Sequence, residues 1–400
     1  MTGLGLEKTR LIQGQAMTDV QCSSTAAAAH AVLTQQNMQR TFKALSRYAD
    51  VLSAQWLLIV SIAGVVGTSL YLRQIPPLVR EDLEIIFILA VLFIAVKGLE
   101  RSGLPAWLSR KIEGGAFLPA KLVCVTFFLS MLVTNDVALL VMVPLTLALN
   151  TDRKDVLVIL ETLAANAGSA LTPFGNPQNL FIYWYYHLGP QEFIATIAPF
   201  SLLFLVLLIL AAFSVRLQND GVPHYPSLQL HCTAWIYLLL LFLVILTVLR
   251  VLPAWIGCIV VAYALLFDRK SLGIDYSLLF TLICFFIISE NMKGILALRL
   301  QHPAHIFLSS ALASQVISNV PAALLFAKFT PHWQALLWGT NVGGFGSLIG
   351  SLANVIAYRL YLTHDETSRY LAFTGKFFLF GYVAFAVGIT MYLVLPGMRI

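Results

Sequence analysis

Charge is what this sequence has least of. Asp, Glu, Lys and Arg make up 11% of its 400 residues, against about 25% in an ordinary soluble domain. So thin a supply cannot cover a surface facing water, which excludes a soluble globular protein. The motifs of common enzyme classes are missing too. There is no GxxxxGK[ST] loop for nucleotide phosphates, no HExxH helix, and no evident Ser/His couple or pair of catalytic acids among the apolar segments. The chain therefore reads as a non-enzyme without an organic cofactor. Cys22, Cys124, Cys232, Cys258 and Cys284 stand far apart and form no CxxC or Cys/His cluster. That argues against a disulfide framework or a zinc site. The net charge of +6 would suggest nucleic acid only on the basic face of a soluble protein, so no nucleic-acid partner is expected.

What fills the chain is apolar residue: 59% is hydrophobic, and the mean hydropathy is +0.83. Stretches such as Trp56–Leu72, Leu83–Val96, Phe200–Ala212, Trp235–Leu249 and Phe377–Leu395 are nearly uncharged. Several reach the roughly 17–25 apolar residues that a bilayer crossing needs. The fold class is all-α integral membrane, with the lipid bilayer as its surroundings. Residues 1–50 differ, being polar and Ala/Ser-rich as far as Gln36. Gln39–Val51 then sets Phe42, Leu45, Tyr48 and Val51 near one helical face, the pattern of an interfacial helix. No apolar core follows the early charges closely enough for a cleavable signal peptide.

Spans at about 52–73, 81–98, 155–190, 193–217, 234–250, 254–268, 275–291, 333–361 and 370–396 give nine crossings. Two of them, 155–190 and 333–361, are interrupted. Segments 116–149 and 303–329 carry polar residues at mid-run between short apolar arms, and are expected to be re-entrant hairpins. This layout puts eighteen of the 25 Lys and Arg in cytoplasmic segments and seven outside, which fits the positive-inside rule. It predicts a multi-pass protein of the inner (plasma) membrane, with a cytoplasmic N-terminus and a periplasmic C-terminus.

Two motifs recur in the same order. Met131–Ala138 aligns with Gln315–Ala322, matching Thr134 with Ser318 and Asn135 with Asn319. Asn166–Asn179 aligns without gaps to Asn341–Asn354, matching Gly168 with Gly343, Gly175 with Gly350 and Asn179 with Asn354, while Asn176 faces Ser351. The reading is a polar segment at 1–50, a first membrane repeat at 51–217, a linker and extra crossing at 218–253, and a second repeat at 254–400. The odd crossing inverts the second copy. Inverted repeats with paired discontinuous helices are transporter architecture, and their breaks point to the binding site.

In the first break, Pro173 and Pro177 each lack a backbone donor, and Gly175 frees the backbone between them. Broken helices present carbonyls suited to a cation and N–H groups suited to an anion. The candidate substrate and ion site comprises Thr134, Asn135, Asp136, Gly175, Asn176, Asn179, Ser318, Asn319, Gly350, Ser351 and Asn354. Asn135, Asp136 and Asn179 are the candidate Na⁺ ligands. Asp136 stands where the second copy has Val320. It could bind Na⁺, take up a proton, or cap the second hairpin arm. With the proline-bounded loop, it puts the stronger ion site in the first half. Glu161 and Glu290 read as interfacial or paired. Removing the side chain of Asn135, Asn179 or Asn319 should abolish uptake.

At these motifs the chain resembles the ion transporter superfamily, in the branch of arsenite-efflux permeases and bacterial sodium–proton antiporters. The likeness covers about residues 50–397. It rests on Thr134-Asn135-Asp136 with Val143-Pro144, on Gly175-Asn176-Pro177-Gln178-Asn179, and on Ser318-Asn319-Val320-Pro321. More distantly the chain is similar to the divalent anion–sodium symporters, from which Asp136 and the proline-free Ser351–Asn354 depart. The resemblance implies a small inorganic or organic anion as substrate, with Na⁺ or H⁺ as coupling ion. It also implies an elevator-like motion against a scaffold that often dimerises, hence a homodimer. The alternatives are a Na⁺/H⁺ antiporter exchanging ions at Asp136, and an ion channel using the hairpins as a filter.

Overall fold

The computed structural model describes residues 56–104, 107, 117–149, 151, 153–215, 232–295, 302–364 and 370–395. The interfacial helix expected at Gln39–Val51 lies outside them. The chain divides between Ile59 and Val60; of the first unit only the four residues 56–59 are described, as helix, and everything below concerns the second.

Fifteen α-helices and no strand occur among the described residues. In chain order they are α1 (Trp56–Leu72), α2 (Arg80–Arg101), α3 (Leu118–Val133), α4 (Asn135–Ala148), α5 (Lys154–Ser169), α6 (Pro177–Tyr185), α7 (Pro190–Phe213) and α8 (Thr233–Val248), followed by α9 (Gly257–Phe267), α10 (Tyr276–Ile295), α11 (Pro303–Ile317), α12 (Asn319–Ala327), α13 (Trp333–Gly343), α14 (Leu352–Thr363) and α15 (Tyr370–Val394). Three stretches, Pro190–Phe213, Arg269–Lys293 and Tyr370–Val394, are long and apolar enough to cross a membrane unaided. Nine crossings were expected. Of the other six, the segments at 155–190 and 333–361 are each split by a loop, α2 carries charges at both ends, and α1, α8 and α9 are apolar but shorter.

Each tip residue joins two arms. Thr134 separates α3 from α4, and Ser318 separates α11 from α12. The most extensive helix contacts pair α3 with α5 and α11 with α13. Glycine makes both possible. A Cβ on Gly168 would sit 2.2 Å from Phe127 O, and one on Gly343 would sit 2.5 Å from Ser314 Cβ. Small residues let membrane helices approach this closely.

Charges sort to the helix ends. Arg101 lies 3.8 Å from Asp268, and Lys97 pairs with Glu100 at 3.0 Å. At the other end of α2, buried Asp82 lies 4.0 Å from Lys328, whose Nζ is 2.8 Å from Glu290 Oε2. Asp155 pairs with Lys376. Within α2, Gly98 receives the Tyr237 ring, and an added Cβ would stand 1.9 Å from it. The Tyr237 hydroxyl is held by Asp268 at 2.9 Å and Ser271 at 2.7 Å, so the ring cannot swing aside freely. Gly98→Ala is therefore expected to lower stability by about 1–3 kcal/mol, read as a lower melting temperature in detergent. An unchanged melt would show that α2 and α8 separate easily.

Candidate functional site

Both hairpin tips hold unusual backbone. Thr134 has φ +91 and ψ 152, and Ser318 has φ +72 and ψ 157. That region belongs almost entirely to glycine and costs about 1–3 kcal/mol for other residues, so the surroundings must hold it. At the first tip the Asn135 N–H donates to Gly175 O at 3.2 Å, tying the hairpin to the first break. The Asn135 side-chain amide donates to Asn166 Oδ1 at 3.3 Å and lies 3.5 Å from Ser351 Oγ. Its Oδ1 accepts from the Asp136 N–H at 3.1 Å.

The break between α5 and α6 is closed by one side chain. Asn179 Nδ2 donates to the carbonyls of Ser169, Ala170 and Thr172 at 2.9–3.4 Å. Asn176 caps α6, accepting from the Asn179 N–H at 3.0 Å, and Pro177 takes the first helical position, where no N–H is needed. The break between α13 and α14 is closed in the same way. Asn354 Nδ2 donates to the carbonyls of Gly344 and Ser347, each at 2.9 Å. Asn166 Nδ2 then donates to Asn354 Oδ1, and Asn341 Nδ2 to Asn179 Oδ1, both at 2.8 Å. These are one bond made twice, with the halves of the chain exchanging roles. The equivalence extends outward. Thr172 Oγ1 donates to Met131 O, and Ser347 Oγ to Gln315 O.

Gly175 and Gly350 sit where a Cβ would meet Ser169 O at 2.2 Å and Gly343 O at 2.7 Å. The second loop lacks proline and is held by Gln315 instead. The Gln315 amide donates to Gly343 O and Phe345 O, while its Oε1 accepts from the Ser347 N–H. The sequence signals neither Gln315 nor Arg250. The Arg250 guanidinium donates to Tyr183 O and Trp184 O and lies over the Trp184 ring, capping the carbonyl end of α6. Both act across long sequence separations that no local motif records.

The two tips differ. Asn319 is 3% exposed, and its Oδ1 lies 3.4 Å from Ser318 Oγ. Its amide nitrogen donates to nothing among the described residues, and neither do the backbone N–H groups of Asn319, Val320, Asn176 and Ser351. That amide nitrogen and Asn166 Oδ1 both border the backbone of Gly344: a Cβ there would sit 3.3 and 3.6 Å from them. Asn319 and Val320 thus leave donors open at the second tip, Ser351 lies beside Asn135 at the first, and the N–H groups of Asn135 and Asp136 are engaged. Asp136 is half-buried, and its Oδ1 is enclosed without a partner among the described residues. No hydrogen bond joins its carboxylate to Asn135 or Asn179 among the described residues.

Glu161 is fully buried on α5, because α3, α4 and α7 enclose that helix. It is paired, Oε1 accepting from Thr146 Oγ1 at 2.6 Å. Glu290 is half-exposed and pairs with both Lys293 and Lys328.

Residues 51–339 match the family described as Citrate transporter. An uncharacterized transporter of Methanocaldococcus jannaschii is 35% identical over 268 residues, covering 64% of this chain and 75% of its own length. An inner membrane protein of Escherichia coli is 37% identical over 303 residues, 70% of this chain and 80% of its own. A silicon efflux transporter of Oryza sativa subsp. japonica is 33% identical over 126 residues, 30% of this chain and 26% of its own.

Proposed function

The chain belongs to the citrate transporter family, and from that premise we propose that it is a secondary active transporter of a small inorganic or organic anion, coupled to Na⁺ or H⁺. The observation that carries the anion is the state of the helix ends. At both breaks the carbonyls that would suit a cation are occupied by the amides of Asn179, Asn354 and Gln315. What is left open includes the N–H groups of Asn319, Val320, Asn176 and Ser351, all at the starts of helices α12, α6 and α14, and the Asn319 amide. Helix N-termini attract negative charge, and neutral amide donors bind oxyanions without a buried cation. On this reading the anion sits among these helix starts. The names of relatives point to different cargo, citrate and silicon, so the identity of the anion is not carried over from them.

The same reading treats 51–217 and 254–400 as inverted repeats joined by the extra helix within 218–253. The reciprocal Asn166–Asn354 and Asn341–Asn179 bonds support it. The arms α3, α4, α11 and α12 have 16, 14, 15 and 9 residues. At about 1.5 Å per residue none spans a bilayer core of about 30 Å, which supports re-entrant hairpins. An elevator-like motion, a homodimeric scaffold and a cytoplasmic N-terminus complete the proposal. A second reading, Na⁺/H⁺ antiport, draws on the unpartnered Asp136 Oδ1.

Uptake into proteoliposomes tests this. Asn319→Ala removes an amide whose one bond among the described residues is the 3.4 Å contact from Ser318 Oγ, so uptake should fall to background while the melting temperature stays near that of the wild type. Wild-type uptake by that variant would sink the site. Saturation and counterflow in the wild type separate a carrier from a channel, and Na⁺ and H⁺ fluxes without added anion would favour the antiporter.

A further inference from the structure

The anion site leaves one buried acid unused. Glu161 has no exposed surface; one carboxyl oxygen is engaged by Thr146, and Oε2 is enclosed without a partner. An ionised carboxylate offers about four acceptor positions, and here one is filled. Five helices pack on α5. Their charged or titratable groups include Lys121 and Cys124 of α3, Asp136 of α4, Glu192 of α7, Arg359 of α14 and Lys376 of α15. None forms a hydrogen bond or ion pair with Glu161, and Lys376 is held by Asp155 of α5 itself. No cation balances the carboxylate, and an isolated buried charge of this kind is far costlier than a neutral acid. Ionisable residues retained at such depth mark ion pathways.

We infer that Glu161 is the proton-carrying group of the transport cycle, with Thr146 positioning it, so that the coupling ion is H⁺. The geometry suits reversible loading. A proton arriving from water adds to Oε2, the free oxygen, forming an O–H bond there. The Thr146 hydroxyl keeps donating to Oε1 before and after, so no existing bond must break. Release returns the proton to water and restores the carboxylate. Thr146 lies at the end of α4 and Glu161 on α5, so a shift of the first hairpin against α5 is the motion that would expose the acid. Asn166, five positions after Glu161, bonds both Asn135 and Asn354. Proton loading is thereby linked along one rigid helix to the centre of the anion site. This inference rests on the transporter reading, since a coupling ion presupposes a carrier.

The test uses the purified full chain in two arms. In the first, infrared difference spectra are recorded during a pH titration without any cargo. The wild type should show a protonated-carboxyl stretch that appears and disappears with pH, absent from Glu161→Gln and shifted in Thr146→Val. Absence of a titrating band that the Gln substitution removes would overturn the proposal. In the second, citrate is the probe in proteoliposomes carrying a pH gradient. Glu161→Gln should lose gradient-driven accumulation yet keep citrate–citrate exchange; gradient-driven accumulation equal to that of the wild type would overturn the proposal. If wild-type protein moves no citrate, the cargo reading fails on that probe, and the infrared band still decides Glu161.

Discussion

Asn179→Ala is expected to leave little folded protein, not merely a silent transporter. The side chain has no exposed surface, and its amide nitrogen supports three carbonyls in the turn between α5 and α6. Its Oδ1 receives Asn341. Alanine would strand those groups in a setting with no water to replace the bonds. One buried polar group left unpaired costs about 1–3 kcal/mol, and several are lost together. The loss should therefore reach at least about 3 kcal/mol, against folding stabilities of only about 5–15 kcal/mol. Thermal melts and the yield of monodisperse protein in detergent measure it. Asn354→Ala should behave alike, because it makes the equivalent bonds. A melt of Asn179→Ala within a degree or so of wild type would refute the account of the break. From sequence, Asn135, Asn179 and Asn319 variants are all expected to lose uptake while staying folded; the bonds of Asn179 add an expected loss of fold, whereas the Asn319 side chain carries only the 3.4 Å contact from Ser318 Oγ.

Much of that arrangement was legible before any coordinates. Pro173, Gly175 and Pro177 mark a break because proline lacks a donor and glycine tolerates a close backbone approach. The gapless match of Asn166–Asn179 to Asn341–Asn354 lines up residues that make identical bonds. Local chemistry decides such features, and local chemistry is what a sequence displays. The rest depends on which distant surfaces meet. Gln315 aligns with Met131 and looks like an ordinary polar substitution, yet it does in the second loop what the two prolines do in the first. Glu161 reads from sequence as interfacial or paired, and nothing local shows that it is enclosed. Its burial follows from α3, α4 and α7 closing over α5. Asp136 attracts attention as a lone acid in an apolar run. Whether its carboxylate turns toward Asn179 depends on the direction in which α4 leaves the tip. The tips differ for a related reason: the Asn135 N–H donates to Gly175 O, and the Asn319 N–H reaches no acceptor among the described residues.

The other large effect is expected at Lys328. It follows α12, is 5% exposed, and lies 2.8 Å from Glu290 Oε2 and 4.0 Å from Asp82 Oδ2, itself 5% exposed. Tyr186, just beyond α6, places its hydroxyl 2.9 Å from both Ala327 O and Thr330 O on either side. The base of the second hairpin is thus fastened to α2, α6 and α10 at one point. A buried ion pair is weak evidence of net stabilisation, since taking both charges out of water offsets much of their attraction. Removing one partner is a different matter, because it leaves a buried charge uncompensated, at a cost of about 3–5 kcal/mol. Lys328→Met keeps the length and apolar stem of the side chain and deletes only the ammonium, leaving Asp82 and Glu290 facing each other. The melting temperature should drop sharply. Asp82→Asn in the Lys328→Met background should recover part of the loss, because an amide can be buried without a counter-charge. Lys328→Arg should lie between Lys328→Met and the wild type. If Lys328→Met melts like the wild type, the cluster is hydrated and contributes nothing. If the double variant melts below Lys328→Met, Asp82 stabilises through its own helix rather than through the lysine.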